Sequence, residues 1–188
     1  MFIKNCHEYP IKDRRIYFSQ NFRIQIMRYS LPFILLMLIV QLAFSQISRQ
    51  EYIQKYQLLA IEEMGRSGIP ASIKMAQAVL ESGNGNSELS LKSNNHFGIK
   101  CKRNWRGGKV YYDDDAKDEC FRKYKSVEDS YIDHSNFLMS NPRYAFLFQL
   151  APDDYIGWAK GLKQAGYATA RDYDKRLIKI IEENRSEE

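Results

Sequence analysis

The chain has few residues of the kinds that anchor a fold or a reaction by themselves. Three cysteines in 188 residues exclude a disulfide-dense scaffold. Two of its three histidines, His96 and His134, stand far apart, with no carboxylate or cysteine at ligand spacing, so no metal site is signalled. No Gly-rich phosphate loop follows a strand pattern, and no serine or cysteine sits in a nucleophile motif. No cofactor is expected. Internal repeats and low-complexity linkers are also missing. The most apolar run, Leu31 to Phe44, is short for a membrane span.

What is present suits one globular domain, since 44% hydrophobic and 13% aromatic residues can build a core without metal. The formal charge of +5 is unevenly spread. Of 28 basic and 23 acidic residues, the first 45 positions hold Lys4, Lys12, Arg14, Arg15, Arg23 and Arg28 against Glu8 and Asp13. The rest, with 22 basic and 21 acidic residues, is nearly neutral. That first segment has the parts of an export signal: a basic start at Met27-Arg28, the apolar run, and small residues at Ala43 and Ser45. The expected organisation is a presequence over 1–45, with Met27 as an alternative initiator, and one mature domain over 46–188. An uncleaved anchor is the competing reading. Export agrees with the remaining cysteines, Cys101 and Cys120, a pair suited to bridging in an oxidising compartment; two buried free thiols is the alternative.

Helical periodicity runs through most of the mature chain. Residues 48–68 place Tyr52, Tyr56 and Leu59 on one face and stop at glycine. In "IPASIKMAQAVLESG", Pro70 opens a second helix with Ile73, Ala76, Val79 and Leu80 on one face. Glu81 follows where this helix ends. A carboxylate there faces the negative end of the helix dipole, which raises its pKa. A short helix and an extended segment are expected over 87–101. "CKRNWRGGKVYYDDDAKDECFRKY" then reads as a β-hairpin lobe. Ser126 and Asp129 stand in capping-box spacing before another helix, and two more are expected over 152–166 and 172–184. Tyr144 and Trp158 are core candidates. The class is α+β and predominantly helical, with a small β-lobe.

Four strings, "IPASIKMAQAVLESGNGNS", "NNHFGIK", "FRKYKSVEDSYIDHSNFL" and "GYATARDYDKRL", lie in the order and spacing seen in glycoside hydrolase family 73. The chain resembles that bacterial glucosaminidase family from about residue 50 to 184. The resemblance implies a lysozyme-like fold and cleavage of the β-1,4 bond between N-acetylglucosamine and N-acetylmuramic acid in peptidoglycan. It puts Glu81 at the general acid, where a neutral carboxyl can protonate the leaving sugar oxygen. It puts a second carboxylate on the β-lobe, where Glu119 is the first choice and Asp114 or Asp115 the next. A base there would activate water and invert the anomeric centre. Without one, the substrate's acetamido group could attack with retention. Tyr167 matches a tyrosine beside the scissile bond, and Asn95, Phe97 and Gly98 are expected at the groove floor. Trp105 is a candidate to stack on a sugar.

These readings imply an exported, monomeric enzyme acting on glycan strands of the envelope, with no nucleic-acid partner and no membrane insertion once the signal is removed. The rivals are a non-catalytic glycan-binding protein, a muramidase of the same fold, and a polyanion binder working through Lys100, Lys102, Arg103, Arg106 and Lys109. Near-neutral mature charge weighs against the last.

Overall fold

The computed structural model describes residues 46–114 and 116–185. The expected presequence and Asp115 lie outside the described residues. Helix α1, Arg49–Ser67, starts on a capping box in which Ser48 Oγ accepts from the Glu51 amide and Glu51 accepts from the Ser48 amide. It stops at Gly68, whose φ of 77° suits glycine. Helix α2, Ala71–Ser82, ends at Gly83 (φ 57°), whose amide donates to the Val79 carbonyl. The short α3, Glu88–Ser93, leads into the hairpin of β1, Gly108–Tyr112, and β2, Glu119–Lys123. Helix α4, Val127–Ser140, opens on the expected Ser126 and Asp129 capping box. Helices α5, Tyr155–Gln164, and α6, Tyr173–Arg185, complete the domain.

Periodicity did not foresee one element, the 3₁₀ helix Pro142–Gln149, which Asn141 caps by accepting from the Arg143 amide. It buries Tyr144 and Leu147. Tyr144 and Trp158 are core residues, as expected.

Helix α2 is the centre of the domain. The sequence suggests one buried stripe, yet all residues from Ile73 to Val79 are buried, Lys74 and Gln77 among them. The reason is tertiary: α1 packs on one side and α6 on another, so little of the helix is left for solvent. The last turn of this most enclosed helix carries Glu81.

The strands pair antiparallel from Gly108↔Lys123 to Tyr112↔Glu119. Segment 99–101 flanks the other edge of β2: the Arg122 amide donates to the Ile99 carbonyl and the Cys101 amide to the Cys120 carbonyl. Cys101 and Cys120 form a disulfide with Cα atoms 5.3 Å apart. Buried Asn95 adds a clamp, its amide group donating to the carbonyls of Ile99 and Arg122. Among the described residues, no helix is long and apolar enough to cross a membrane.

Because the bridge closes a loop of 19 residues' separation in the hairpin, its loss should act there first. Changing both Cys101 and Cys120 to Ser is expected to cost about 3 kcal/mol. Hydrogen exchange should accelerate in β1 and β2 well before α2; uniform acceleration would show that the bridge supports the whole fold instead.

Candidate active site

An open cleft of about 540 Å³ runs between the helical body and the hairpin. Its wall includes Glu81 from the end of α2, Phe97 and Gly98 from the loop after α3, Asp114 from the hairpin turn, Tyr167 from the α5–α6 loop, and Tyr173 and Arg176 from α6. Residues distant in sequence therefore meet around one carboxyl group.

Glu81 is part-buried, and Oε1 accepts a hydrogen bond of 2.8 Å from the Tyr173 hydroxyl. That hydroxyl in turn accepts from Gln77 Nε2 at 3.0 Å, so α2 positions the tyrosine that positions its own glutamate. Burial pushes the Glu81 pKa up to about 7, against the Tyr173 hydrogen bond and the charge of Arg176, while the charge of Asp114 adds to the rise. The direction expected from the sequence holds; its leading cause is lost hydration, where the sequence argument had invoked the helix dipole. A carboxyl group with this pKa holds a proton near neutrality and can release it to a substrate.

Tyr167 stacks on Tyr173 with ring centroids 5.7 Å apart and an interplanar angle of 18°. Its hydroxyl donates to the Phe97 carbonyl at 3.3 Å, tying the loop before α6 to the cleft floor. Gly98 adopts a φ of 61°, which lets the chain turn under the cleft without strain. Asn95 lies beneath this floor. Its Oδ1 accepts from the Ile99 amide at 3.1 Å, so it shapes the loop from below and is not among the cleft-lining residues.

The hairpin carboxylates separate by environment. Asp114 lines the cleft and pairs with Lys100 at 3.2 Å. Glu119 pairs with Lys100 at 2.9 Å and accepts from the Ala116 amide, and it does not line the cleft. Asp115 lies outside the described residues. Trp105 is not in the cleft either; its Nε1 donates to the Gly108 carbonyl and its ring lies under the Arg122 guanidinium.

Residues 57–186 match the profile of the glucosaminidase family, described as mannosyl-glycoprotein endo-beta-N-acetylglucosaminidase. The chain belongs to the glucosaminidase family. This is a family of glycoside hydrolases, and the mostly helical domain with its two-stranded lobe has the lysozyme-like fold. The chain is 35% identical over 124 residues to the peptidoglycan hydrolase FlgJ of Vibrio parahaemolyticus, covering 60% of this chain and 40% of that protein. It is 34% identical over 122 residues to the exo-glucosaminidase LytG of Bacillus subtilis, covering 59% and 43%. It thus spans about two fifths of the length of these curated relatives. The solved glycoside hydrolase domain of Salmonella typhimurium FlgJ superimposes with a TM-score of 0.62 at 29% identity, covering 75% of this chain and 91% of that one.

Sequence reasoning missed Tyr173 and Arg176 as members of the site. The available signal was their i, i+3 spacing at the start of α6, which puts them on one helix face.

The raised Glu81 pKa fixes a dependence of stability on pH. Between the unfolded value of 4.5 and the folded value of about 7, the folded state binds more protons than the unfolded state. Stability from this group is fully present below that window and falls as pH rises through it. Glu81→Gln should therefore leave stability at pH 4 unchanged and raise it by about 3 kcal/mol at pH 8, read by urea denaturation. A variant equally destabilised at both values would show that the carboxyl is not held neutral by its surroundings.

Proposed function

We propose that the chain is an exported endo-β-N-acetylglucosaminidase that hydrolyses the β-1,4 bond between N-acetylglucosamine and N-acetylmuramic acid in peptidoglycan. Glu81 is its general acid. The carrying observation is that a part-buried carboxyl, kept protonated near neutrality by lost hydration, lines the cleft of a glucosaminidase-family domain. Peptidoglycan as substrate is supported by the chain's similarity to peptidoglycan hydrolases such as FlgJ. Export is supported by the Cys101–Cys120 bridge, since such a bond persists in oxidising compartments.

In the proposed reaction a sugar occupies the cleft with its glycosidic oxygen at the Glu81 carboxyl. The proton passes to that oxygen as the bond to the anomeric carbon breaks. Tyr173 keeps one carboxyl oxygen engaged and supports the carboxylate left behind. Asp114 is our choice for the second carboxylate because it lines the same cleft and its charge reaches Glu81. Glu119, the first choice from sequence, is assigned to holding Lys100 and the turn. Tyr167 is proposed to orient the acetamido group, its hydroxyl oxygen retaining lone pairs after donating to Phe97.

Digestion of purified peptidoglycan, with borohydride labelling and mass spectrometry of new reducing ends, tests this reading. Wild type should yield reducing N-acetylglucosamine, and Glu81→Gln should lower the rate by at least about 10³-fold while folding normally. Reducing N-acetylmuramic acid would make the enzyme a muramidase, and no product would make it a glycan-binding protein. The alkaline limb of kcat/KM should fall near pH 7, where Glu81 loses its proton. Tyr173→Phe removes the hydrogen bond that favours the carboxylate, so it should move that limb to higher pH. A limb that stays in place would separate the rate from Glu81.

A further inference from the structure

A second pocket, also about 540 Å³, lies beside the cleft and shares Lys102 and Phe137 with it. The site described above uses neither its contents nor its floor. Its wall carries Arg122 and Asp133, three asparagines, and Trp105.

The hydrogen-bonding inventory of this pocket is lopsided. Arg122 is only 9% exposed, and its guanidinium lies 4.5 Å from the centre of the Trp105 ring. Nη1 donates to Asp133 at 2.7 Å, but the buried Nε has no hydrogen-bond partner among the described residues. Asp133 is already engaged, its Oδ2 also accepting from the Tyr124 hydroxyl at 2.6 Å. Asn136 Oδ1 accepts from Arg66 Nη1 at 3.0 Å, and Asn141 Oδ1 accepts from the Arg143 amide at 3.4 Å. Each oxygen thereby uses one of its two acceptor sites, and each side chain also carries an NH2 donor. Lys102 adds an ammonium 4.9 Å above the Phe137 ring, on the boundary between the pocket and the cleft.

Two cations, Arg122 and Lys102, thus stand against one carboxylate, Asp133, whose Oδ2 is already bonded twice. A neutral sugar carries no charge and leaves this cationic excess unpaired. A short peptide with free carboxylates presents chiefly acceptors, and a guanidinium backed by an aromatic ring suits a planar carboxylate. We propose that this pocket is a subsite for the acidic stem peptide of peptidoglycan, with Arg122 and Lys102 receiving its carboxylates while the glycan lies in the adjoining cleft. The assignment rests on the peptidoglycan reading above and deepens it.

The test uses the full chain and the peptide N-acetyl-L-Ala-γ-D-Glu-Nε-acetyl-L-Lys-D-Ala, whose charges are its two carboxylates alone, titrated by calorimetry beside its fully amidated form. Wild type should bind the acidic form more tightly by about tenfold, the loss expected when charge-assisted bonds to both carboxylates go. Arg122→Met should erase that difference. Because Arg122 also holds Asp133, Ser140→Trp provides the check: Ser140 is an exposed wall residue, and the added ring fills the pocket without removing a bond. Equal affinity for the two peptides, or unchanged binding in Ser140→Trp, overturns the proposal. On glycan strands, wild-type kcat/KM should be about tenfold higher with stem peptides than after their enzymatic removal, and Ser140→Trp should lower only the former. Should wild type cut neither substrate, the hydrolase reading fails, while the peptide titration still decides the pocket.

Discussion

One buried ammonium group ties the helical body to the cleft. Lys74 lies in the enclosed stretch of α2, fully buried, and its Nζ meets three acceptors: the Tyr131 carbonyl at 3.1 Å, Ser135 Oγ at 2.6 Å and His134 Nδ1 at 3.1 Å. Three donors face three acceptors. Ser135 donates onward to Glu63 of α1, which two bonds from Arg66 also hold. Burial draws the Lys74 pKa down to about 7, and the charge of Glu63 opposes that pull. His134, whose Nδ1 faces the ammonium, stacks on Phe97 with ring centroids 4.0 Å apart. Phe97 lines the cleft and receives the Tyr167 hydroxyl through its carbonyl. The chain of contacts from α1 to the cleft floor thus passes through a group that cannot lose one partner without leaving a charge or a donor stranded, a loss of several kcal/mol.

The sequence made some of this legible. Periodicity and caps located α1 to α6 and the hairpin, because local rules govern where a helix starts and where glycine ends it. Glu81 stood out because a carboxyl group directly after a buried stripe is unusual without a use. Other features were out of reach for a physical reason. Lys74 reads as a surface residue in one dimension, and only the packing of α4 against it supplies its acceptors. Asn95 reads as a groove residue until its four hydrogen-bonding partners are seen beneath the floor. Trp105 reads as a sugar platform until Arg122 is found covering its ring. Each depends on a tertiary neighbour far away in sequence.

The hairpin carboxylates show the same limit. Asp113, Asp114, Asp115, Asp118 and Glu119 lie within seven residues, and composition gives no reason to prefer one. Their surroundings differ sharply. Asp113 accepts from the Asp118 amide at 2.8 Å and shapes the turn, Glu119 holds Lys100 and the Ala116 amide, and Asp114 reaches the cleft. A run of acidic residues is thus divided between building the loop and lining the cleft.

The way Glu81 keeps its proton has a consequence for the proposed catalytic cycle. Lost hydration is the leading cause of its raised pKa, and the empty cleft is open to solvent on one side. A glycan seated in that cleft displaces water from the same carboxyl, so its arrival pushes the acid further toward the protonated form. Departure of the product lets water return and eases the group back toward titration. In the proposed reaction the substrate is therefore also the stopper that keeps the acid charged with its proton until the bond is broken.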